Sequence, residues 1–257
     1  MSNERCAMYN NDEIPRPLEV LNKTLKDTAL EREKIKPGGS VVHWYKRDLR
    51  TIDNTALGMA SSKAVEAGVP LICVYLLSPQ DFQAHCTSAA RVDFDLRTLE
   101  IMKGDLAEKN IPLYVANIDN RKDVPGHIIA KCEEWGAKHV FCNIEYEVDE
   151  LRREAKLVKN CLKRGINFNA VHDDCVVPPE RLMSGSGKQY SVYSPWYRAW
   201  VKHLHANPRL LECQPDISDN PSSARQTFSS IFDSTIPPAP ANKKLEPDHK
   251  DRLTHLL

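Results

Sequence analysis

The run VPLICVYLL at residues 69–77 is the stretch of sequence that decides the fold. It is nearly continuously apolar, so it predicts a strand buried on both faces of a sheet. Four more short apolar runs precede or follow it along the chain. They are VVHWY (41–45), IPLYVAN (111–117), HVFCNI (139–144) and INFNAVH (166–172). Together the five runs predict five strands.

Segments with helical signals separate these runs. Asp53 can cap an alanine-rich helix that ends at Gly68. Ser88 can cap a second helix whose apolar residues repeat at intervals of three and four, so that one stripe faces a core. In the segment 147–164, acidic residues come early and basic residues late, as the helix dipole favours. Strands that alternate with helices pair in parallel, so we predict a Rossmann-like, doubly wound α/β domain with a five-stranded parallel sheet over residues 39–173.

Three further segments flank this predicted domain. Residues 1–38 are polar and interrupted by prolines, which predicts an extension with about one helix. Residues 174–205 form a connecting segment that becomes rich in aromatic residues. Residues 206–257 are predicted to be a linker, dominated by proline, serine and acidic or amide residues up to 242, followed by the truncated start of a helical region.

Composition and short motifs exclude several classes of protein. The 35 basic and 35 acidic residues give a net charge of zero, which disfavours binding to nucleic acid by bulk charge. No apolar run is long enough for a membrane helix, and the first residues fit neither a secretory signal nor a transit peptide. Eight cysteines without a CxxC pair disfavour a disulfide framework and a metal site. We therefore predict an intracellular protein of the nucleus or cytoplasm that is not secreted. The sequence also lacks a G-x-G-x-x-G, a P-loop and a G-x-S-x-G motif.

Ligands of doubly wound sheets bind at the carboxyl ends of the strands. The loop after the first strand holds Arg47, Asp48 and Arg50, which predict either an ion-pair network that caps the sheet or a polar rim beside a ligand. His85 lies in the loop after the second strand, and Asp149 and Glu150 follow the fourth. These three residues could simply be surface residues and helix-start acids. A carboxylate can also accept two parallel hydrogen bonds from the edge of a pterin or flavin-like ring, so we expect His85 and Glu150 to meet at one crevice.

Three ordered motifs carry a resemblance to a known family. They are WYKRDLRTIDNTAL (44–57), HVFCNIEYEVDELRRE (139–154) and GSGKQYSVYSPWYRAW (185–200). The chain resembles the photolyase/cryptochrome family over about residues 40–205. This resemblance implies an α/β domain that holds an antenna chromophore, either a methenyltetrahydrofolate or a deazaflavin. It also implies a C-terminal helical domain that binds FAD and damaged DNA and repairs cyclobutane pyrimidine dimers with blue light.

The resemblance assigns the antenna contacts to His85, Asp149 and Glu150. The folate-type pattern has asparagine where this chain has Asp149, so one pair of amide donors is replaced by a charge. Arg47, Asp48 and Arg50 match the first motif, and we assign them mainly to structure.

Segments typical of the helical FAD domain are not found in the sequence, which leaves its enzymatic status open. We expect an antenna-binding domain that does not repair DNA alone; the alternatives are a cryptochrome-like signalling protein and a stand-alone nucleotide- or pterin-binding module. Without a partner domain, the aromatic face around Trp196, Tyr197 and Trp200 is expected to be exposed and to promote self-association.

Overall fold

The computed structural model describes residues 3–237, in which five parallel strands form one sheet. The strands are β1 (Ser40–Tyr45), β2 (Leu71–Leu77), β3 (Leu113–Asn117), β4 (Ala137–Asn143) and β5 (Asn167–Val171). Their order across the sheet is β3-β2-β1-β4-β5, so the direction of winding reverses between β1 and β4. The predicted doubly wound α/β fold is confirmed. Within residues 3–237, no helix has both the length and the apolar character needed to cross a membrane.

Eleven α-helices surround and extend the sheet in the described part of the chain. They are α1 (Asn3–Asn10), α2 (Pro17–Asp27), α3 (Ala29–Glu33), α4 (Thr55–Ala67), α5 (Pro79–Ala84), α6 (Ala89–Glu108), α7 (Val124–Glu134), α8 (Val148–Lys163), α9 (Tyr193–Ala206), α10 (Ser223–Thr227) and α11 (Ser229–Phe232). Ser88 caps α6 as predicted, because its hydroxyl accepts from the Arg91 amide. The cap of α4 is Asn54 and not Asp53, whose backbone has a φ of +50° and whose carboxylate accepts from the Gln214 amide instead.

Two apolar layers cover the two faces of the sheet. Trp44 and Tyr45 are neighbours in β1 and enter opposite layers, since successive side chains of a strand point to opposite faces. Trp44 belongs to the layer formed with α2, α7 and α8 and packs edge-on against Phe168 of β5. Tyr45 belongs to the layer formed with α4 and α6, which includes Leu57 and Leu99. Both layers reach the carboxyl ends of the strands, where the loops with polar side chains lie.

The N-terminal segment is more ordered than the sequence predicted. It forms three helices instead of about one, and Leu21 of α2 is fully buried in the layer that contains α8. Arg32 of α3 is also buried and donates to the side chain of Asn167 and to the carbonyl of Phe168 in β5. The apolar stripe of α2 is visible in the sequence, but the helix against which it packs lies more than a hundred residues away. This distance is why the sequence suggested a separate extension.

The segment after α9 returns to the α/β domain. The side chain of Asn220 accepts from the amide of Leu71 and donates to its carbonyl, both at 2.8 Å. Phe228 and Ile231 are buried in the core layer, and Lys103 of α6 donates to the Ile231 carbonyl. The described part of the predicted linker is therefore held against the domain. Residues 238–257, with the predicted start of a helical region, lie outside the described residues.

Candidate functional site

His85 and Glu150 meet at the carboxyl edge of the sheet. His85 ends the short helix α5 that follows β2, and Glu150 lies in the first turn of α8, which follows β4. The Nε2 atom of His85 is 3.2 Å from the Oε1 atom of Glu150. Asp149 lies beside this pair, but its side chain is 59% exposed and contacts Arg121 with 3.3 Å between Oδ2 and Nη1. The structure thus brings two of the three predicted site residues into contact and places the third at their rim.

The Glu150 carboxylate is buried and only half satisfied. Its Oε1 atom lies 3.3 Å from Nη2 of Arg121 and 3.7 Å from Nη1 of Arg153, in addition to the contact with His85. Its Oε2 atom has no hydrogen-bond partner among the described residues. An unsatisfied buried acceptor costs free energy that a ligand N–H group would recover. This atom is the feature of the site that suits a ring with hydrogen-bond donors on its edge.

Arg121 is a site residue that the sequence did not reveal. It lies in a 3₁₀ turn (Arg121–Asp123) after β3, and its Nε atom is 2.7 Å from Oδ1 of Asp81. Together with its contacts to Asp149 and Glu150, this makes Arg121 the cation that holds the loops after β2, β3 and β4 together. The loop after the third strand of a parallel sheet lies at this same edge, but no sequence motif marks the arginine within it. Its long side chain reaches acids that are distant in sequence.

A cavity of about 380 Å³, called the inner cavity below, has the His85–Glu150 pair in its lining. Aromatic and charged side chains line it together with this pair. They include Tyr45, Tyr75, Phe82, Arg91, Glu145 and Arg153. The Tyr45 hydroxyl is buried and has no hydrogen-bond partner within residues 3–237, and burial raises the pKa of this phenol. Tyr45 therefore keeps its proton and supplies a donor that nothing in the described residues uses.

A second cavity of about 390 Å³, called the outer cavity below, is also lined by this pair. Its lining contains His85, Asp149, Glu150 and Arg152, together with Arg5 of helix α1. His85 and Glu150 line both cavities, so the two cavities adjoin at this pair. A flat ring that contacts Glu150 would therefore occupy the outer cavity, the inner cavity, or part of both.

The first motif forms an ion-pair network at the switch point between β1 and β4. Arg50 pairs with Asp48 on its own loop and with Asp173 after β5. Asn143 at the end of β4 donates to Asp173 and accepts from the amide of Ala56, the second residue of α4. These contacts tie three strand ends and one helix start together, which fits a structural role for Asp48 and Arg50.

Asp81, His85 and Glu150 form the one group of three potential metal ligands among the described residues, with ligand atoms within 4.8 Å of one another. Both carboxylates are already paired with Arg121 and Arg153. Two guanidinium groups at these distances repel a divalent cation, so this cluster favours an organic ligand over a metal.

Residues 41–216 match the family model described as DNA photolyase. The chain belongs to the DNA photolyase family. Over its full length, this photolyase-family chain is 51% identical to a deoxyribodipyrimidine photo-lyase of Neurospora crassa. It is 29% identical over 77% of its length to a mitochondrial deoxyribodipyrimidine photo-lyase of Saccharomyces cerevisiae. The photolyase-family chain spans 42% and 37% of these two relatives, which is less than half of either protein.

Solved structures of this family share the fold. A class III photolyase of Agrobacterium tumefaciens superposes with a TM-score of 0.54 at 23% identity, covering 85% of this chain and 41% of that protein. A cryptochrome of Synechocystis superposes with a TM-score of 0.55 at 19% identity, covering 71% of this chain and 37% of that protein. Members of the photolyase family bind FAD and an antenna chromophore. The α/β domain of this photolyase-family chain is therefore the N-terminal domain of that fold.

Proposed function

We propose that this chain is the antenna-binding α/β domain of a photolyase and that His85, Asp149 and Glu150 contact the chromophore. One observation carries the proposal: the Oε2 atom of Glu150 has no hydrogen-bond partner in the described part of the chain, while the neighbouring Oε1 atom contacts His85 and Arg121. The residues present fit a flat ring with donors on one edge. When bound, such a group absorbs near-ultraviolet or blue light and passes the excitation energy to a flavin.

The roles of the three residues follow from their contacts. Glu150 accepts hydrogen bonds from the ring edge and is held in place by Arg121 and His85. His85 covers the carboxylate from the side of α5 and is partly exposed, so it is placed to stack on or bond to the ligand. Asp149 stays at the rim beside Arg121. Because Glu150 is buried, its hydrogen bonds form in a medium of lower dielectric constant than water, which strengthens them.

A methenyltetrahydrofolate is the ligand we favour over a deazaflavin. Its pterin ring presents an N–H and an amino group on one edge, which is the donor pattern that a carboxylate accepts in a bidentate manner. The Y-E-V segment before Asp149 also resembles the folate-type pattern. Asp149 in place of asparagine removes two donors, so the ring has to be held mainly through Glu150.

The activity of a complete protein follows from family membership as a further part of this proposal. Its reaction would be the light-driven repair of cyclobutane pyrimidine dimers, a carbon–carbon lyase reaction that uses FAD and damaged DNA bound by a helical domain. The nuclear or cytoplasmic location also stays a prediction, because the yeast relative is named as mitochondrial. Microscopy of a fluorescent fusion would identify the compartment.

Absorbance titration of the purified 257-residue chain with methenyltetrahydrofolate tests the antenna role. We expect a shifted near-ultraviolet band for the wild-type chain and no shift for Glu150→Ala. Glu66→Ala, which removes an exposed carboxylate on α4, is the control and should behave as wild type. A shift with a deazaflavin but not with the folate would reassign the ligand. The absence of a shift with both would remove the chromophore role.

A second experiment distinguishes DNA repair from light signalling. The complete gene product is illuminated on DNA that contains pyrimidine dimers, and the dimers are counted before and after. Loss of dimers supports the photolyase assignment, whereas unchanged dimers favour the cryptochrome-like alternative.

A further inference from the structure

The outward face of helix α8 carries a stripe of basic side chains. It consists of Arg152, Lys156, Lys159 and Lys163, which recur at intervals of three and four residues and therefore lie on one side of the helix. The three lysines are exposed, and Arg152 is half-buried. At a rise of about 1.5 Å per residue, the lysines span about 10 Å along the helix. We call these four residues the α8 stripe.

No acidic side chain within residues 3–237 pairs with the lysines of the α8 stripe. The acids of the same helix contact cations of other elements. Asp149 and Glu150 contact Arg121, and Glu154 is buried with Lys46. The three lysines form no hydrogen bond or ion pair in the described part of the chain. Their positive charges are therefore available to a binding partner.

The fold does not account for the α8 stripe. Like charges three or four residues apart on a helix repel one another, so the stripe destabilises α8 slightly. The helix dipole favours Lys163 in the last turn, but this effect does not extend to Lys156 or Lys159. Packing of the helix depends on its opposite face, where Leu157 and Val158 are buried in the core layer. A row of unpaired charges that neither packing nor the dipole explains is a candidate binding surface.

A DNA backbone matches the α8 stripe better than a membrane does. One strand of DNA carries a phosphate for about every 3.4 Å of helix axis, so the three lysines match a run of about three phosphates. A membrane-binding helix inserts an apolar face, but the apolar face of α8 is buried, with Leu157 and Cys161 fully inaccessible. The net charge of the whole chain is zero, so binding to a polyanion depends on a local surface of this kind.

We propose that the α8 stripe binds the phosphate backbone of DNA independently of sequence and of lesions. The site is separate from the proposed antenna site, because its three lysines line neither the inner nor the outer cavity. It assigns a DNA contact to the α/β domain, in addition to the helical domain through which we propose that a complete protein binds damaged DNA. A contact that reads only phosphates holds a protein on undamaged DNA and lets it slide along the backbone.

Salt-dependent binding of the 257-residue chain to an undamaged, fluorescently labelled DNA duplex tests the inference. Fluorescence anisotropy measures the association constant at several concentrations of sodium chloride. Its logarithm should fall with the logarithm of the salt concentration with a slope of about −3, since each neutralised phosphate contributes about −0.9. Lys156→Gln/Lys159→Gln/Lys163→Gln should bind about tenfold more weakly at the lowest salt concentration and lose most of this slope. Lys159→Gln alone should reduce the slope by about one.

A charge-matched variant controls for the overall charge. Lys23→Gln/Lys63→Gln/Lys109→Gln also removes three lysines, each of which is paired with an acid outside the α8 stripe. This variant should bind DNA as the wild type does. Circular dichroism checks that both triple variants are folded, and both should bind methenyltetrahydrofolate as the wild type does. Failure of the antenna function and failure of the DNA contact are therefore distinguishable.

The remaining outcomes contradict the proposal in different ways. Equal DNA binding by the wild type and the stripe variant would overturn it, as would a wild-type chain that binds no DNA at the lowest salt concentration. An equal loss in both triple variants would indicate an effect of bulk charge. Polyglutamate or phosphatidylserine vesicles that bind as tightly as DNA through the same lysines would reassign the α8 stripe to an acidic protein or to a membrane. Tighter binding to a duplex that contains pyrimidine dimers would contradict recognition of the backbone alone.

Discussion

The Nε2 atom of His85 lies 3.2 Å from the Oε1 atom of Glu150, although 65 residues separate them in the sequence. Their strands β2 and β4 are not neighbours, because β1 lies between them. The contact exists because α5 and the first turn of α8 both lie over the carboxyl end of the sheet. The antenna role that we propose for this domain depends on this pairing, since a ring bound to Glu150 would need a covered and oriented carboxylate.

Asp149→Asn is expected to strengthen folate binding by roughly threefold. The substitution supplies two amide donors and removes a charge at the rim of the site. The exposed contact with Arg121 that it weakens contributes little to stability. Absorbance titration of the variant with methenyltetrahydrofolate measures the change. Asp93→Asn, which weakens a similar exposed arginine pair on α6, is the matched control. Unchanged or weaker binding by Asp149→Asn would contradict a direct contact between residue 149 and the ligand.

Because Lys46 and Glu154 form a buried ion pair, we expect Lys46→Met and Glu154→Leu to have strongly non-additive effects on the free energy of unfolding. The side chains are 6% and 0% exposed, and the Lys46 ammonium donates to the Glu154 carboxylate. Lys46→Met leaves that carboxylate buried without its partner, which should lower the free energy of unfolding by about 3–5 kcal/mol. Adding Glu154→Leu removes the unpaired buried carboxylate and should recover part of the lost free energy of unfolding.

Urea unfolding of the wild type, the two single variants and the double variant measures this coupling. Burial raises the pKa of Glu154 even with Lys46 present, so Lys46→Met should recover stability relative to wild type as the pH falls and Glu154 takes up a proton. If the double variant lost as much stability as the two single variants together, the pair would not be coupled.

The sequence predicted the sheet well and the site in part. The apolar runs determine the strands because a parallel sheet covered on both faces needs such runs. Because ligands of such sheets bind at the carboxyl ends of the strands, the sequence alone predicts that His85 and Glu150 lie close together. Arg121 and Arg5 could not be predicted in the same way, because their side chains reach the site from segments with no local motif. The packing of Leu21 against the core was missed for a similar reason, as its partner helix is distant in the chain.

Because the imidazole of His43 is buried, we expect the free energy of unfolding to decrease in acid. The ring is fully buried, both nitrogen atoms lack hydrogen-bond partners among the described residues, and burial, aided by the charge of Lys46, lowers its pKa to about 3. In the unfolded chain the imidazole has its ordinary pKa near ~6.5, so below that pH the unfolded state binds a proton that the native state does not. The free energy of unfolding is therefore unaffected by His43 above about pH 6.5. As the pH falls from there toward the pKa of His43 in the native state, the free energy of unfolding decreases by about 1.4 kcal/mol per pH unit.

The variant His43→Phe isolates this contribution, because phenylalanine keeps an aromatic ring beside Tyr45. Between pH 6.5 and 4, its free energy of unfolding should fall less steeply than that of the wild type. The difference in slope should be about 1.4 kcal/mol per pH unit, which corresponds to one proton. Urea unfolding at several pH values gives both slopes. His205→Gln, on the exposed side of α9, should keep the wild-type slope. Equal slopes for His43→Phe and wild type would show that His43 is accessible to protons in the native state.

The aromatic surface of α9 is expected to promote self-association of the 257-residue chain. Tyr193 and Tyr197 are 69% and 46% exposed, and their rings stack with centroids 5.7 Å apart. Trp196 and Trp200 continue the same stack along the helix. A contiguous apolar surface of this kind gains free energy when a second surface covers it.

Sedimentation velocity over a range of concentrations should therefore give a sedimentation coefficient that rises with concentration. The double variant Tyr193→Ser/Tyr197→Ser should reduce this rise, because it removes the two most exposed rings from the stack. Phe94→Ser removes an equally exposed ring from α6, outside the stack, and should leave the rise unchanged. A wild-type chain that sediments as a monomer at every concentration would contradict the prediction. An equal effect of Phe94→Ser would instead indicate that association follows total apolar exposure, with no special role for α9.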